Sequence, residues 1–190
     1  MNLCVQESFV PGSVQKRAEV GGVTGMEFLN KIFFISDGIM LSQVREISGV
    51  DGSTLQNWVK RGWIANTVNK RYSKDQLARI LIINMLRDSM MLERIDFLLR
   101  YINGSVNTRE DDIIPESQLY DYICTILDRV SAMESCTGEQ LHACILECTQ
   151  SYQDVLPGAS ERLHKALEII VIAYYASYMQ SFCNRLFELL

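Results

Sequence analysis

Histidine is scarce: the chain of 190 residues holds two, His142 and His164, and neither lies in a nucleophile motif such as G-x-S-x-G. A P-loop and a dinucleotide fingerprint are also missing. The adjacent Asp111 and Asp112 sit on a polar connector, where a solvated charge pair is commoner than a catalytic dyad. These absences argue against an enzyme. No C-x-x-C pair occurs among Cys4, Cys124, Cys136, Cys144, Cys148 and Cys183, and their spacing is unlike that of a small secreted scaffold. A basic leader with a long apolar core is lacking, and the apolar run Leu167 to Met179 looks too short to span a bilayer, with Glu168 interrupting it. The reading is a protein of the reducing cytoplasm with no membrane partner. β-patterns and internal repeats are absent too, so the expected class is all-α, with at most a two-residue ladder.

What is present is hydrophobic content of 48% and a net charge of −5, as in an ordinary globular protein. The charge is unevenly spread. Residues 42–109 carry eleven Lys/Arg against six Asp/Glu, whereas residues 110–190 carry four against thirteen. Lys60, Arg61, Lys70, Arg71, Lys74 and Arg79 cluster in the basic part, with Asp75 opposing them. A basic head on an acidic body suits a head that meets phosphate.

The head is organised by TLQNWVKRGW, residues 54–63. Before it, Leu41, Val44 and Ile47 share one helical face, Gly49 breaks that face, and Asp51 is an N-cap for a helix from Gly52 to about Arg61. Two short helices joined through a glycine read as a helix-turn-helix. Ser53, Gln56, Asn57 and Lys60 fall on the side away from Leu55, Trp58 and Val59, where they would reach base edges or phosphates. Arg61, then Lys70 and Arg71 in the loop ANTVNKR, add phosphate-contact candidates. Trp58, Trp63 and Tyr72 could form a stacking platform, but their spacing suits the small core of the head better. Ser73 and Gln76 form a capping box opening the next helix.

That order, LSQVREISGVDGSTLQNWVKRGW, a basic loop and RYSKDQLARI, resembles the winged helix-turn-helix of MerR-type bacterial regulators. Gln56 and Asn57 stand where an Arg and a Tyr are usual there, and the wing is several residues shorter. More closely, QNWVKRGW, NKRYSKDQLARILIINMLRD and DDIIPESQLYDY resemble a bacterial family with a MerR-like head and no assigned function, over roughly residues 39–130. The resemblance implies duplex DNA as partner and transcriptional regulation as role. MerR relatives often sense metals, which draws attention to Cys136, His142, Cys144 and Cys148. Cys144 and Cys148 are one helical turn apart, yet free cysteines are commonly buried as small hydrophobes, so no metal or other cofactor is expected.

Periodicity then divides the chain. Residues 1–38 read as a flexible arm or irregular loop followed by a short helix from Gly25 to Ile35, residues 39–108 as the helix-turn-helix domain, and residues 109–190 as a helical C-terminal domain for dimerisation or for sensing a small-molecule effector. Helices are expected over 75–88, 92–103, 116–133, from Thr137 or Gly138 to about Thr149, and 159–190. The first of these is apolar all round and must be covered on two sides. The last carries an apolar band wider than one core needs, so a homodimer through the C-terminal helix is expected, with inward packing of the surplus as the alternative. For the whole chain, the rival to a DNA-binding regulator is a helical protein-interaction module that does not bind DNA.

Overall fold

The computed structural model describes residues 9–108 and 110–190, so the expectations for the first eight residues, with Cys4, and for Arg109 lie outside the described residues. Among the described residues the chain is mostly helical. Eight α-helices follow in order: α1 (Gly25–Ile32), α2 (Leu41–Ser48), α3 (Gly52–Lys60), α4 (Lys74–Leu86), α5 (Leu92–Asn103), α6 (Glu116–Ser131), α7 (Gly138–Cys148) and α8 (Ala159–Phe187). The all-α expectation holds, and the two-residue ladder it allowed is present. Strands β1 (Ile39–Met40) and β2 (Arg71–Tyr72) pair antiparallel, so the ladder joins the entry of α2 to the strand before α4.

Local chemistry explains most helix boundaries. The Asp51 carboxylate accepts the Thr54 amide at 2.9 Å and starts α3. Ser73 and Gln76 close a reciprocal capping box on α4, and Thr137 and Gln140 close another on α7. Gly49 ends α2 in the left-handed region at φ 70°, where a β-carbon would also stand 2.5 Å from Val14. The helix expected over 25–35 stops at Ile32, leaving Phe34 and Ile35 86% and 93% exposed.

Helix α4 is the axis of the fold. Leu77, Ala78, Ile80, Leu81, Ile82, Ile83, Met85 and Leu86 are all buried, and α2, α5, α6 and α8 pack around it. One apolar cluster runs from Leu55 and Trp58 in the head through α4 to Leu163 and Ile170 in α8. Arg79 lies in that core at 3% exposure. It therefore leaves the basic surface on which it was counted, because its guanidinium is turned to Glu116, Asp96 and the Trp63 carbonyl.

The segment before α1 is irregular but not free. Val10 is buried, the Tyr120 hydroxyl donates to the Pro11 carbonyl at 2.7 Å, and Asn84 donates to the Gly12 carbonyl at 2.9 Å. Val14 donates its amide to Ile47, and a 3-10 helix, Arg17–Val20, follows. Helix α1 then packs on α6, which supplies the cap α1 lacks: Asp121 accepts the Met26 amide at 2.6 Å.

Helix α8 is longer than its central apolar run suggested. Its 29 residues, with a mean hydropathy of 1.2 in the best window, are enough by length and composition to cross a bilayer, which corrects the estimate from the run alone. One third of that window is buried inside the protein, where α8 packs on α4, α5, α6 and α7.

Candidate nucleic-acid interface

Helices α2 and α3 are joined by Gly49, Val50 and Asp51, and Val50 is buried between them. Leu55 and Trp58 turn the inner face of α3 into the core, with Trp63, Ile64 and Tyr72 completing it. The aromatic residues thus hold the head together and present no stacking platform. The opposite face of α3 is left to solvent, and Gln56, Asn57 and Lys60 stand exposed on it.

The loop after α3 is held by the capping residue of α4. The Gln76 side-chain amide donates to the carbonyls of Ala65 and Asn66, at 2.8 and 3.1 Å, while its oxygen accepts from Ser73. A hairpin follows. Arg71 donates its amide to Val68 at 2.9 Å, and Asn69 and Lys70 between them have φ of 51° and 58°. Two consecutive left-handed residues define a type I′ turn, whose twist matches that of paired strands. Lys70 is therefore at a hairpin tip rather than in a loose loop. Its exposed neighbours Asn66 and Asn69 were not picked out from sequence; the NK pair was the available signal, since asparagine tolerates the left-handed region.

The seven residues selected from sequence fall into two groups. Gln56, Asn57, Lys60 and Lys70 are exposed and, among the described residues, make no side-chain hydrogen bond or ion pair. Ser53, Arg61 and Arg71 are engaged within the protein. The Ser53 hydroxyl donates to Asp51, and with the Thr54 hydroxyl and amide it holds the Asp51 carboxyl well below the usual carboxylate range. Arg61 lies 5.0 Å over the Trp63 ring and 3.6 Å from Glu93. Arg71 donates to the Gly38 carbonyl at 2.8 Å and to Ser36 at 3.3 Å, tying the 34–38 loop to the hairpin.

The cysteines show no such convergence. Cys124 and Cys144 are buried, Cys148 is half-buried, and Cys136 and Cys183 are exposed. Burial, then the neighbouring Cys144, pushes the Cys148 thiol up to about 11, which keeps it protonated at neutral pH. No group of three metal-ligating side chains gathers among the described residues. His142 pairs with Glu168 at 2.6 Å, and His164 contacts the Thr149 hydroxyl at 2.9 Å. A cavity of about 300 Å³ lies between the loop after α3 and the α5–α6 connector, bordered by Gln76, Arg79, Asn103, Asp112 and Glu116.

The profile of a family described as a domain of unknown function (DUF1836) matches residues 28–123. The chain belongs to this family. The DUF1836 match takes in α2, α3, the hairpin, α4 and α5, and ends within α6. The chain is also 23% identical over 135 residues to the uncharacterized protein YkrK of Bacillus subtilis (strain 168), covering 68% of this chain and 54% of YkrK. It thus spans about half the length of the curated relative it matches. No solved structure matches the chain.

Proposed function

We propose that this DUF1836 protein binds duplex DNA as a MerR-like transcriptional regulator, with α2 and α3 as its helix-turn-helix and the 68–71 hairpin as a short wing. The observation that carries this reading is the exposed set Gln56, Asn57 and Lys60 on the outer face of α3, with Lys70 at the tip of a neighbouring hairpin. Amides can make paired hydrogen bonds to adenine in the major groove, and lysines can neutralise phosphates. Ser53, Arg61 and Arg71 have supporting roles here, since each already has a partner that shapes the helix start, the helix end or the wing. The regulator acts as a homodimer through α8, and the 300 Å³ cavity beside the wing loop is the seat for a small-molecule effector.

Fluorescence anisotropy with duplex DNA across a salt series tests this. Lys60→Ala and Lys70→Ala should weaken binding to all sequences alike and reduce the salt slope by about one. Gln56→Ala or Asn57→Ala should instead relax discrimination at single base pairs by about 1–3 kcal/mol. An unchanged selected motif after both amide substitutions would remove these residues from the recognition surface. A second reading, a protein-interaction module, draws on exposed Phe34 and Ile35 beside the wing. Binding to a protein through that apolar pair, with no DNA affinity at low salt, would favour it.

A further inference from the structure

The cavity beside the wing loop has a chemistry of its own. Its walls bring three carboxylates, Asp75, Asp112 and Glu116, against one cation, Arg79. That cation is already committed: its side chain is 4% exposed and serves the Trp63 carbonyl, Glu116 and Asp96. The other side-chain donors of the wall are spent inside the protein as well. Gln76 donates to Ala65 and Asn66, and Asn103 donates to the Ile114 carbonyl at 2.7 Å. The N-termini of α4 and α6 also approach, but each is answered, one by the Ser73–Gln76 box and one by Asp75, which accepts the Ser117 amide at 3.0 Å. An anion would therefore find few donors here. Acceptors are in surplus. Glu116 Oε1 takes Arg79, while its buried Oε2 has no hydrogen-bond partner among the described residues. Arg79 Nη2 and Asp96 Oδ1 are unsatisfied too, but they face each other at 3.6 Å, which leaves the Glu116 oxygen as the acceptor in want of a donor. The backbone adds to the same sign. Asn103 is the last residue of α5, so the carbonyl end of that helix borders the cavity, where its dipole favours positive charge. Just before it the chain supplies such a charge itself, since Arg162 donates to the Tyr101 and Ile102 carbonyls at 2.8 and 2.6 Å.

We infer that this cavity takes a small organic cation, an aliphatic amine or guanidinium compound, whose charged group is held by Asp112 and Glu116. This rests on the reading of the cavity as an effector seat and gives the effector its class; it does not depend on DNA binding. The carbon chain of such a ligand has apolar wall to lie against, in Val106, Pro115 and Val155. The volume of about 300 Å³ is at the small end of ligand sites, which suits a short aliphatic molecule. A bare metal ion does not suit these walls, because no three ligating side chains gather among the described residues. The hydroxyls of Ser105 and Thr108, which also border the cavity, can accept from a second donor on the ligand.

The test is isothermal titration of the full chain with 1,4-diaminobutane and with agmatine, against 1,4-butanediol and succinate at equal ionic strength. The two cations should bind saturably, one per chain, and the diol and the dicarboxylate should not bind at the same concentrations. Asp112→Asn should weaken amine binding about tenfold or more, since a hydrogen bond to a charged group is lost. Val155→Trp, at a position 61% exposed on the cavity's edge, should block binding while helical circular dichroism and Tm stay as they were. Glu139→Gln, exposed at the start of α7, should change nothing. Amine binding undiminished in both wall variants, or reduced as much by Glu139→Gln, would mean attraction to acidic surface only and overturn the site. Binding of succinate or the diol in place of the amines would overturn the class, and binding of none of the four would overturn the cavity as a seat. Saturable amine binding, lost in the wall variants, in a protein whose DNA affinity is absent or unmoved would support the site and count against the regulator reading alone.

Discussion

Replacing Arg79 by methionine tests whether one buried cation joins three parts of the fold. The guanidinium donates to the Trp63 carbonyl at 2.6 Å, bonds Glu116 of α6 and lies 3.6 Å from Asp96 of α5. The two carboxylates are themselves only 15% exposed. Removing the cation leaves the Glu116 charge unpaired in a poorly solvated place, while Asp96 keeps Arg100 at 2.7 Å, and breaking a buried pair in this way costs about 3–5 kcal/mol. The lower end applies here, because Arg79 Nη2, Asp96 Oδ1 and Glu116 Oε2 lack hydrogen-bond partners and the native cluster is incompletely satisfied. A loss of about 3 kcal/mol corresponds to a fall of roughly 6–12 °C in Tm for a chain of this size. Urea melts followed by helical circular dichroism give the free energy. Adding Glu116→Gln to Arg79→Met removes the orphaned charge and should recover most of the loss. A single substitution costing under about 1 kcal/mol, or a double variant no better than the single, would refute this reasoning.

Gly12→Ala should cost about 2–4 kcal/mol, since φ is +73° and the new β-carbon would stand 2.1 Å from the Leu81 carbonyl oxygen, forcing Val10 out of the core. Denaturant melts and faster proteolysis between residues 9 and 20 check this, and a change within about 0.5 kcal/mol would contradict it. At the hairpin, Lys70→Gly relieves a left-handed φ of 58° and should hold or raise stability by up to about 1 kcal/mol, while Lys70→Ala keeps the strain. The two should lose DNA affinity equally, which separates charge from fold. The Asp51 carboxyl is held low by Ser53 first and Thr54 next, so the folded state takes up this proton less readily than the unfolded chain. Its stabilisation is complete at neutral pH and is lost as pH falls below the ordinary carboxylate range; Asp51→Asn should flatten that acid limb of the urea midpoint, and an identical acid limb would disprove it.

Sequence was most informative where the physics is local. Asp51, Ser73 and Thr137 each bond an amide three residues on, so each cap could be read from its own few residues. The all-round apolar pattern of α4 foretold cover on two sides because only burial tolerates it. Long-range partners were not legible. The strap from Val10 to Val14 looks like loose chain, yet Asn84, Tyr120 and Ile47 hold it from far along the sequence. Arg79 has the composition of a surface cation and becomes internal only because Glu116 and Asp96 arrive from two other helices. At the candidate interface, residue type located the exposed face of α3, but it could not tell Lys60, which has no partner among the described residues, from Arg71, which is spent on Gly38.

The double-sided burial of α4 also governs how the molecule comes apart. The interior amides of that helix can meet solvent only when layers on both sides have lifted, so its hydrogen exchange should be the slowest in the protein and should report the global unfolding free energy. The two ends of the apolar cluster should therefore open together in exchange, since what loosens α8 would loosen the bed on which Leu55 and Trp58 rest. A partner that tightens the far end of the bundle would thereby slow opening at the outer helix face of the head, with no hinge and no change of shape between them.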